Sequence, residues 1–186
     1  MYPARFMILI AALFFSLSSF AVHLKVRGEV TERLTGDGLG KVVVRVYHNG
    51  SLSFSTTTNS NGKYEVSFPN QGRFTVRFSY PGYASKSFMV DTRGPSWEGD
   101  NSKQHLYIGM TMVKRQQGFD LSLLEMPMGK ARFDPGTGYV RWDKVWEQRI
   151  MPKYLSLMRA YDRRLKELKE EEEEDPRLAS FPAPRF

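Results

Sequence analysis

The chain has 186 residues, 41% of them hydrophobic and 13% aromatic, which excludes a disordered polypeptide and suits one domain of ordinary size with an appendage. It contains no cysteine, so disulfides are excluded, as is a lipid attached through a cysteine at a signal junction. The formal charge of +7 is uneven: residues 22–165 hold 22 Lys and Arg against 13 Asp and Glu, whereas residues 166–186 hold 4 against 7. This predicts a basic body able to attract anionic surfaces and an acidic end, the plainer alternative being a solvated surface of mixed charge.

Met1 to Arg5 is a short basic start, and residues 6–15 form an apolar run of signal-peptide length. Ser19-Phe20-Ala21 then reads as a small-x-small cleavage site. The expectation is a signal over residues 1–21, an exported chain, and no membrane-spanning segment after signal removal, because the run is short for a span of about 20 residues. The expected location is the periplasm or the cell surface of a Gram-negative bacterium. Leu24 to Val30 alternates apolar and polar residues and predicts a first strand with one face buried. After the glycine-rich turn Thr35 to Gly40, a second strand sets Val42, Val44 and Val46 on one face. Asn49-Gly50 is a hairpin signal, since both residues accept the positive φ that a type I′ turn demands. The return strand, Ser51 to Thr57, is expected to turn Leu52, Phe54 and Thr56 to one side and its serines to water.

Asn59-Ser60-Asn61-Gly62 turns the chain into Tyr64 to Phe68, and Pro69-Asn70-Gln71-Gly72 leads into Phe74 to Phe78. Thr57, Asn59, Asn61 and Gly62 occupy positions 1, 3, 5 and 6 of a calcium-loop register. However, position 1 lacks a carboxylate and position 12 is Phe68, so the expectation is a structural turn with no metal. Phe88 to Val90 and Leu106 to Met112 complete seven strands at short spacing, which predicts an antiparallel sandwich over residues 22–115. Between them, residues 91–104 form a loop long for a sandwich, with Trp97 either stacking on a sugar or a partner, or folding back over the core. Residues 116–142 read as a connection and a hairpin around Asp134-Pro135-Gly136-Thr137-Gly138.

From Asp143, a plausible N-cap, Trp146, Ile150, Tyr154, Leu157, Tyr161, Leu165 and Leu168 recur at three- and four-residue intervals, one stripe along a helix over residues 143–174. Pro152 predicts a kink or restart near Met151. The stripe either packs on its own domain or pairs with another chain. Glu170 to Asp175 are six consecutive acids, and Pro176, Pro182 and Pro184 end regular structure, so residues 175–186 are expected to be a mobile tail.

Gly28-Glu29-Val30, Gly38 to Val44, Thr58 to Tyr64, Phe74 to Phe78 and Pro81-Gly82-Tyr83 together resemble the carboxypeptidase regulatory-like domain. The resemblance covers about residues 23–113 and implies a transthyretin-like, Ig-like sandwich of seven strands. Where that family often has Asp after the threonine, this chain has Asn59. Val90 to Pro95, with Pro127 to Lys130 and Phe133-Asp134, is also similar to small exported Bacteroidota proteins that pair such a domain with a C-terminal extension and have no assigned activity. The resemblance implies an accessory module and adds no catalytic residue.

The residues themselves point to no reaction. His23, His48 and His105 have no second ligand at zinc spacing, and the His-x-x-Glu of the metallocarboxypeptidase catalytic domain is missing at each. Gly94-Pro95-Ser96-Trp97-Glu98 departs from a nucleophile elbow in its last residue, and the chain ends Ala183-Pro184-Arg185-Phe186, not in the Tyr-Arg-Gly-Ser of transthyretin-like hydrolases. Arg73, Phe74, Arg77 and Phe78 interleave charge and aromatics but read as a half-buried strand, so no nucleic-acid partner is expected, and no cofactor. The expected function is a non-catalytic exported adaptor making protein–protein contact within a periplasmic or cell-surface assembly, with another exported or outer-membrane protein as partner. Trp146, Tyr154, Tyr161 and Leu165 would anchor that partner, and Arg149, Lys153, Arg159 and Arg163 would steer an acidic one. A carbohydrate-binding module using Trp97 is the alternative, and an unrecognised hydrolase stands last.

Overall fold

A computed structural model describes residues 24–69, 71–94, 104–134 and 139–174, so the expected signal, Trp97 and the tail beyond residue 174 lie outside the described residues. The described elements are β1 (Leu24–Glu32), β2 (Val43–His48), β3 (Ser51–Thr57), β4 (Lys63–Phe68), β5 (Arg73–Ser79), β6 (Lys86–Asp91), β7 (Gln104–Tyr107), β8 (Met110–Met112), β9 (Pro127–Asp134), β10 (Tyr139–Trp142) and the helix α1 (Lys144–Glu174). A 3-10 turn at Ser122–Glu125 precedes β9. Two sheets face each other across the core. One runs β4-β1-β7 with β8 also on β1, and the other runs β10-β9-β6-β5-β2-β3.

Period-two burial builds this sandwich as the sequence predicts. Along β4 every second residue is buried, giving Tyr64, Val66 and Phe68, and β5 buries Phe74, Val76 and Phe78. Val42, Val44 and Val46 are likewise enclosed. Each such side chain is worth about 1.5–3 kcal/mol relative to leaving it in water, so the alternation is a large energetic commitment. Rings from the two sheets interlock: Phe68 meets Phe74 at 4.9 Å and Tyr64 meets Phe78 edge-on at 5.0 Å between centroids.

The turns obey their local chemistry. Asn49 and Gly50 take φ of 49° and 88°, the double positive of a type I′ turn, and close the β2–β3 hairpin at His48 and Ser51. At the Asn59 turn, Oδ1 accepts hydrogen bonds from the amides of Asn61 (3.0 Å) and Lys63 (2.9 Å). That oxygen is therefore spent on backbone where a calcium site would need it for the ion. The Thr58 hydroxyl accepts from the Val42 amide and donates to the Leu39 carbonyl, tying the turn to the β1–β2 connection.

The pairing departs from expectation in several places. β1 lies parallel to β7 and β8, and β6 lies parallel to β9, so the sandwich is not wholly antiparallel. The predicted strand Leu106 to Met112 is two strands. At the break, the Ile108 amide donates to the Arg27 carbonyl and the Ile108 carbonyl accepts from the Tyr64 hydroxyl at 2.8 Å. β3 is an edge strand paired only with β2, and a bulge sets Leu52 opposite Tyr47. The expected inner side of β3 is therefore uncovered, with Leu52 57% exposed and Phe54 exposed beside it.

The hairpin β9–β10 extends the larger sheet, since β9 pairs with β6 from Phe88 opposite Gly129 to Asp91 opposite Arg132. β9 and β10 thus belong to the sandwich itself. The helix α1 runs 31 residues without interruption through Pro152, about 46 Å at 1.5 Å per residue, so no restart occurs near Met151. Asp143 caps it, its carboxylate accepting from the Trp146 amide at 3.0 Å.

Candidate functional site

The helix stripe closes one side of the sandwich. Met158 and Tyr161 complete a second core with Ala84, Val113, Leu121 and Leu124, against which Phe119, Met128, Tyr154, Leu157 and Leu165 also pack. Tyr161 is only 1% exposed. Its hydroxyl donates to the Lys114 carbonyl at 2.8 Å, and its ring meets Phe119 edge-on at 5.5 Å. Burial is the main reason that this phenol's pKa rises above its usual value. The Trp146 indole N–H donates to the Pro127 carbonyl at 3.0 Å, while the Lys130 ammonium sits 3.4 Å from the ring centroid.

These contacts correct the expected docking role of Trp146, Tyr154, Tyr161 and Leu165. All four face the chain's own sandwich, because the segment between β8 and β9 supplies the apolar surface that the stripe needs. The basic residues fare differently: Arg149, Lys153, Arg159 and Arg163 are exposed. Among the described residues the ion pairs of α1 use Asp162, Arg164, Glu167 and Glu171 and leave these four free. Val145, Met151 and Leu155 are exposed on the same outward side, Leu155 at 45%. A shallow depression there is floored by Met151, Pro152 and Leu155 and edged by Arg159.

Past its midpoint α1 is fastened by Asp162, whose two oxygens accept from one guanidinium nitrogen of Arg33 at 2.8 and 2.9 Å. Burial opposes the charge of Arg33, yet the bond to Asp162 leaves its pKa raised. Arg33 Nε is buried and has no hydrogen-bond partner among the described residues. On the small sheet, Lys25 and Arg27 both pair with Glu65, and the bond from Lys25 leads in lowering that carboxyl's pKa.

A cleft of about 300 Å3 opens where α1 crosses the gap between the two sheets. Its walls come from Lys86 and Phe88 of β6, Ile108 to Thr111 between and within β7 and β8, Gly129 and Lys130 of β9, Trp142 of β10, and Trp146 and Tyr154 of α1. Gly129 lets the Trp142 ring approach, since a Cβ there would lie 2.6 Å from the indole. Lys86 is the unusual member. It is 3% exposed, its ammonium donates to the Thr111 carbonyl at 2.6 Å, and it lies 5.0 Å from the Tyr154 ring centroid. Among the described residues no carboxylate pairs with it, and burial, with Arg33 nearby, lowers its pKa to about 8. Lys86 is not among the residues that motif or spacing singles out, although the alternation that buries Phe88 and Val90 extends back to it.

A folded-state pKa below the usual 10.5 means that the native chain binds fewer protons than the unfolded one between about 8 and 10.5. Stability therefore rises with pH across that window, and below it the buried charge is a net cost. At 1.36 kcal/mol per unit the cost is about 3 kcal/mol at neutral pH, partly offset in a Lys86→Met variant by about 1 kcal/mol for the orphaned Thr111 carbonyl. Lys86→Met is expected to stabilise the fold by about 2 kcal/mol at pH 7 and to abolish the rise. Urea unfolding of both proteins from pH 7 to pH 10 checks this, because other groups titrate equally in both.

Among the described residues no group of three or more His, Asp or Glu is close enough to hold a metal ion, and no helix is long and apolar enough to cross a membrane. Residues 25–96 match the family model described as carboxypeptidase regulatory-like domain. The chain contains a carboxypeptidase regulatory-like domain. The match to this regulatory-like domain ends short of β7 to β10 and α1, so the cleft lies where the domain meets the elements that extend it.

No curated protein matches the sequence. Among solved structures, the chain is similar to 3-chlorocatechol 1,2-dioxygenase from Rhodococcus opacus 1CP, with 13% identity, a TM-score of 0.37, and coverage of 50% of this chain and 60% of that one. It is also similar to the Bacillus anthracis TIE protein, at 15% identity and a TM-score of 0.38 over 50% and 17%, and to the full-length major pilin SpaD from Corynebacterium diphtheriae, at 12% and 0.38 over 51% and 31%. The chain thus spans less than two thirds of each of these proteins. Likenesses at such scores carry no argument about what the regulatory-like domain does here.

Proposed function

We propose that the chain is a non-catalytic exported adaptor whose helix presents a basic, partly apolar surface to an acidic patch on another exported or outer-membrane protein. The observation that carries this reading is the outward face of α1, where Arg149, Lys153, Arg159 and Arg163 are free of ion pairs among the described residues and surround the exposed Val145, Met151 and Leu155. Apolar anchors ringed by unpaired cations suit a partner that supplies carboxylates around a small apolar patch, with the charges setting the rate and specificity of encounter. The regulatory-like domain then acts as the rigid support. The helix is held on it by Tyr161 and by the Arg33–Asp162 pair, so the backbone that carries the outer residues is held in place before binding.

A photo-crosslinking residue placed at Leu155 in cells of the source organism tests this reading. One adduct with an acidic exported protein is expected, reduced at least about tenfold when Arg149, Lys153, Arg159 and Arg163 are all changed to Glu and the melting temperature is unchanged. Adducts that survive the charge reversal would overturn the proposal, as would adducts made only with a second copy of the chain. Glycan binding that Trp97→Ala abolishes would move the assignment to a carbohydrate-binding module.

A further inference from the structure

We infer that the cleft beneath the N-terminal half of α1 is a binding site for a small organic acid, a single carboxylate carried on an aryl or medium-chain apolar body. Its cation is already in place and, among the described residues, has no anion. Lys86 is buried at the floor of a cavity of about 300 Å3, and of its three donors one reaches the Thr111 carbonyl while the Tyr154 ring lies alongside. A buried ammonium is costly unless paired, and no acidic side chain among the described residues supplies the pair. An incoming carboxylate would complete that environment with a charge-assisted bond to a buried ammonium.

The rest of the lining fits the body of such a ligand. Phe88, Ile108, Met110, Trp142, Trp146 and Ile150 make the walls chiefly apolar, and the volume sits at the small end of the roughly 300–1,000 Å3 usual for drug-sized ligands. The other charged groups at the cleft are committed elsewhere or lie toward its rim. Asp143 caps α1, Lys130 lies on the Trp146 ring, and Glu147 is exposed one turn into the helix, where it favours a ligand with one negative charge over one with several. Lowering of the Lys86 pKa by burial agrees with a site that is incomplete without an anion.

The test uses the full chain with 2-naphthoate as probe and 2-naphthylmethanol as its neutral counterpart, followed by tryptophan fluorescence and by amide and lysine ε-carbon resonances. The acid is expected to bind at least about tenfold more tightly than the alcohol, because a hydrogen bond between two charged groups is stronger than one with a neutral partner. Shifts should centre on the amides of Gly109 and Gly129 and the Trp146 indole, and Lys86→Met should erase the preference for the acid while keeping the alcohol. A readout that needs no variant is the titration of Lys86 itself, whose midpoint should move up when 2-naphthoate is bound. The inference is overturned by absence of binding, by equal affinity for acid and alcohol, by a preference that survives in Lys86→Met, or by shifts that map away from Gly109 and Gly129.

Discussion

Tyr161→Ala is expected to lower the free energy of unfolding by about 3–5 kcal/mol, the range for removing a large aromatic side chain from a packed core. The ring is enclosed by Phe119 and the second core, and its hydroxyl satisfies the Lys114 carbonyl. Tyr161→Phe removes only the hydroxyl, which donates to the Lys114 carbonyl and accepts a long bond from the Gln116 amide at 3.5 Å, and should cost about 1 kcal/mol. Urea unfolding of the two variants separates packing from hydrogen bonding, and equal small losses in both would mean that the helix is not fastened through this residue. Release of α1 would also disperse the outward cations, so the Leu155 crosslink should weaken with the fold in Tyr161→Ala and persist in Tyr161→Phe.

The strands were legible because alternation and burial are the same fact seen twice. Val42, Val44 and Val46, or Tyr64, Val66 and Phe68, have no other way to leave water together. What alternation cannot supply is the partner of each face. Leu52 and Phe54 alternate as inward residues should, yet the opposite sheet ends at β4 and leaves β3 uncovered. The helix shows the same gap between pattern and partner. The stripe from Trp146 to Leu168 was plain from spacing, but its cover lies in Phe119, Leu121 and Leu124, in a segment with no period of its own. Spacing alone therefore points docking at the stripe, whereas the cations left unpaired among the described residues lie on the outward face.

The cleft was illegible for a related reason. Its walls come from β6, the β7–β8 link, β9, β10 and α1, which the parallel pairing of β6 with β9 and of β1 with β7 and β8, and the facing of the two sheets, bring together. Parallel neighbours far apart in sequence leave no local signature. Lys86 alone carried a trace, as a lysine at an inward position of a strand; inward lysines are rare enough that the parity of Phe88 and Val90 could have singled it out.

Gly28→Ala tests the junction that makes the cleft floor. A Cβ at residue 28 would stand 1.8 Å from the Ile108 carbonyl oxygen and 2.9 Å from Tyr64 Cε1, so backbone must move. That oxygen is held where it is by the Tyr64 hydroxyl and by the Ile108 amide bonded to Arg27. Displacing it overpacks the sheet, at about 1–3 kcal/mol, and strands a buried phenol, at about 1–3 kcal/mol, giving an expected loss of about 2–6 kcal/mol. Gly109→Ala is the matched control, since its nearest non-neighbour atom would be the Glu29 carbonyl oxygen at 3.9 Å, an ordinary contact, and it should change stability by less than about 1 kcal/mol. Equal stabilities for the two variants would mean that the Ile108 carbonyl does not lie against β1. A large gap between them would fix the close approach of the β7–β8 link to β1 as the reason residue 28 has no side chain.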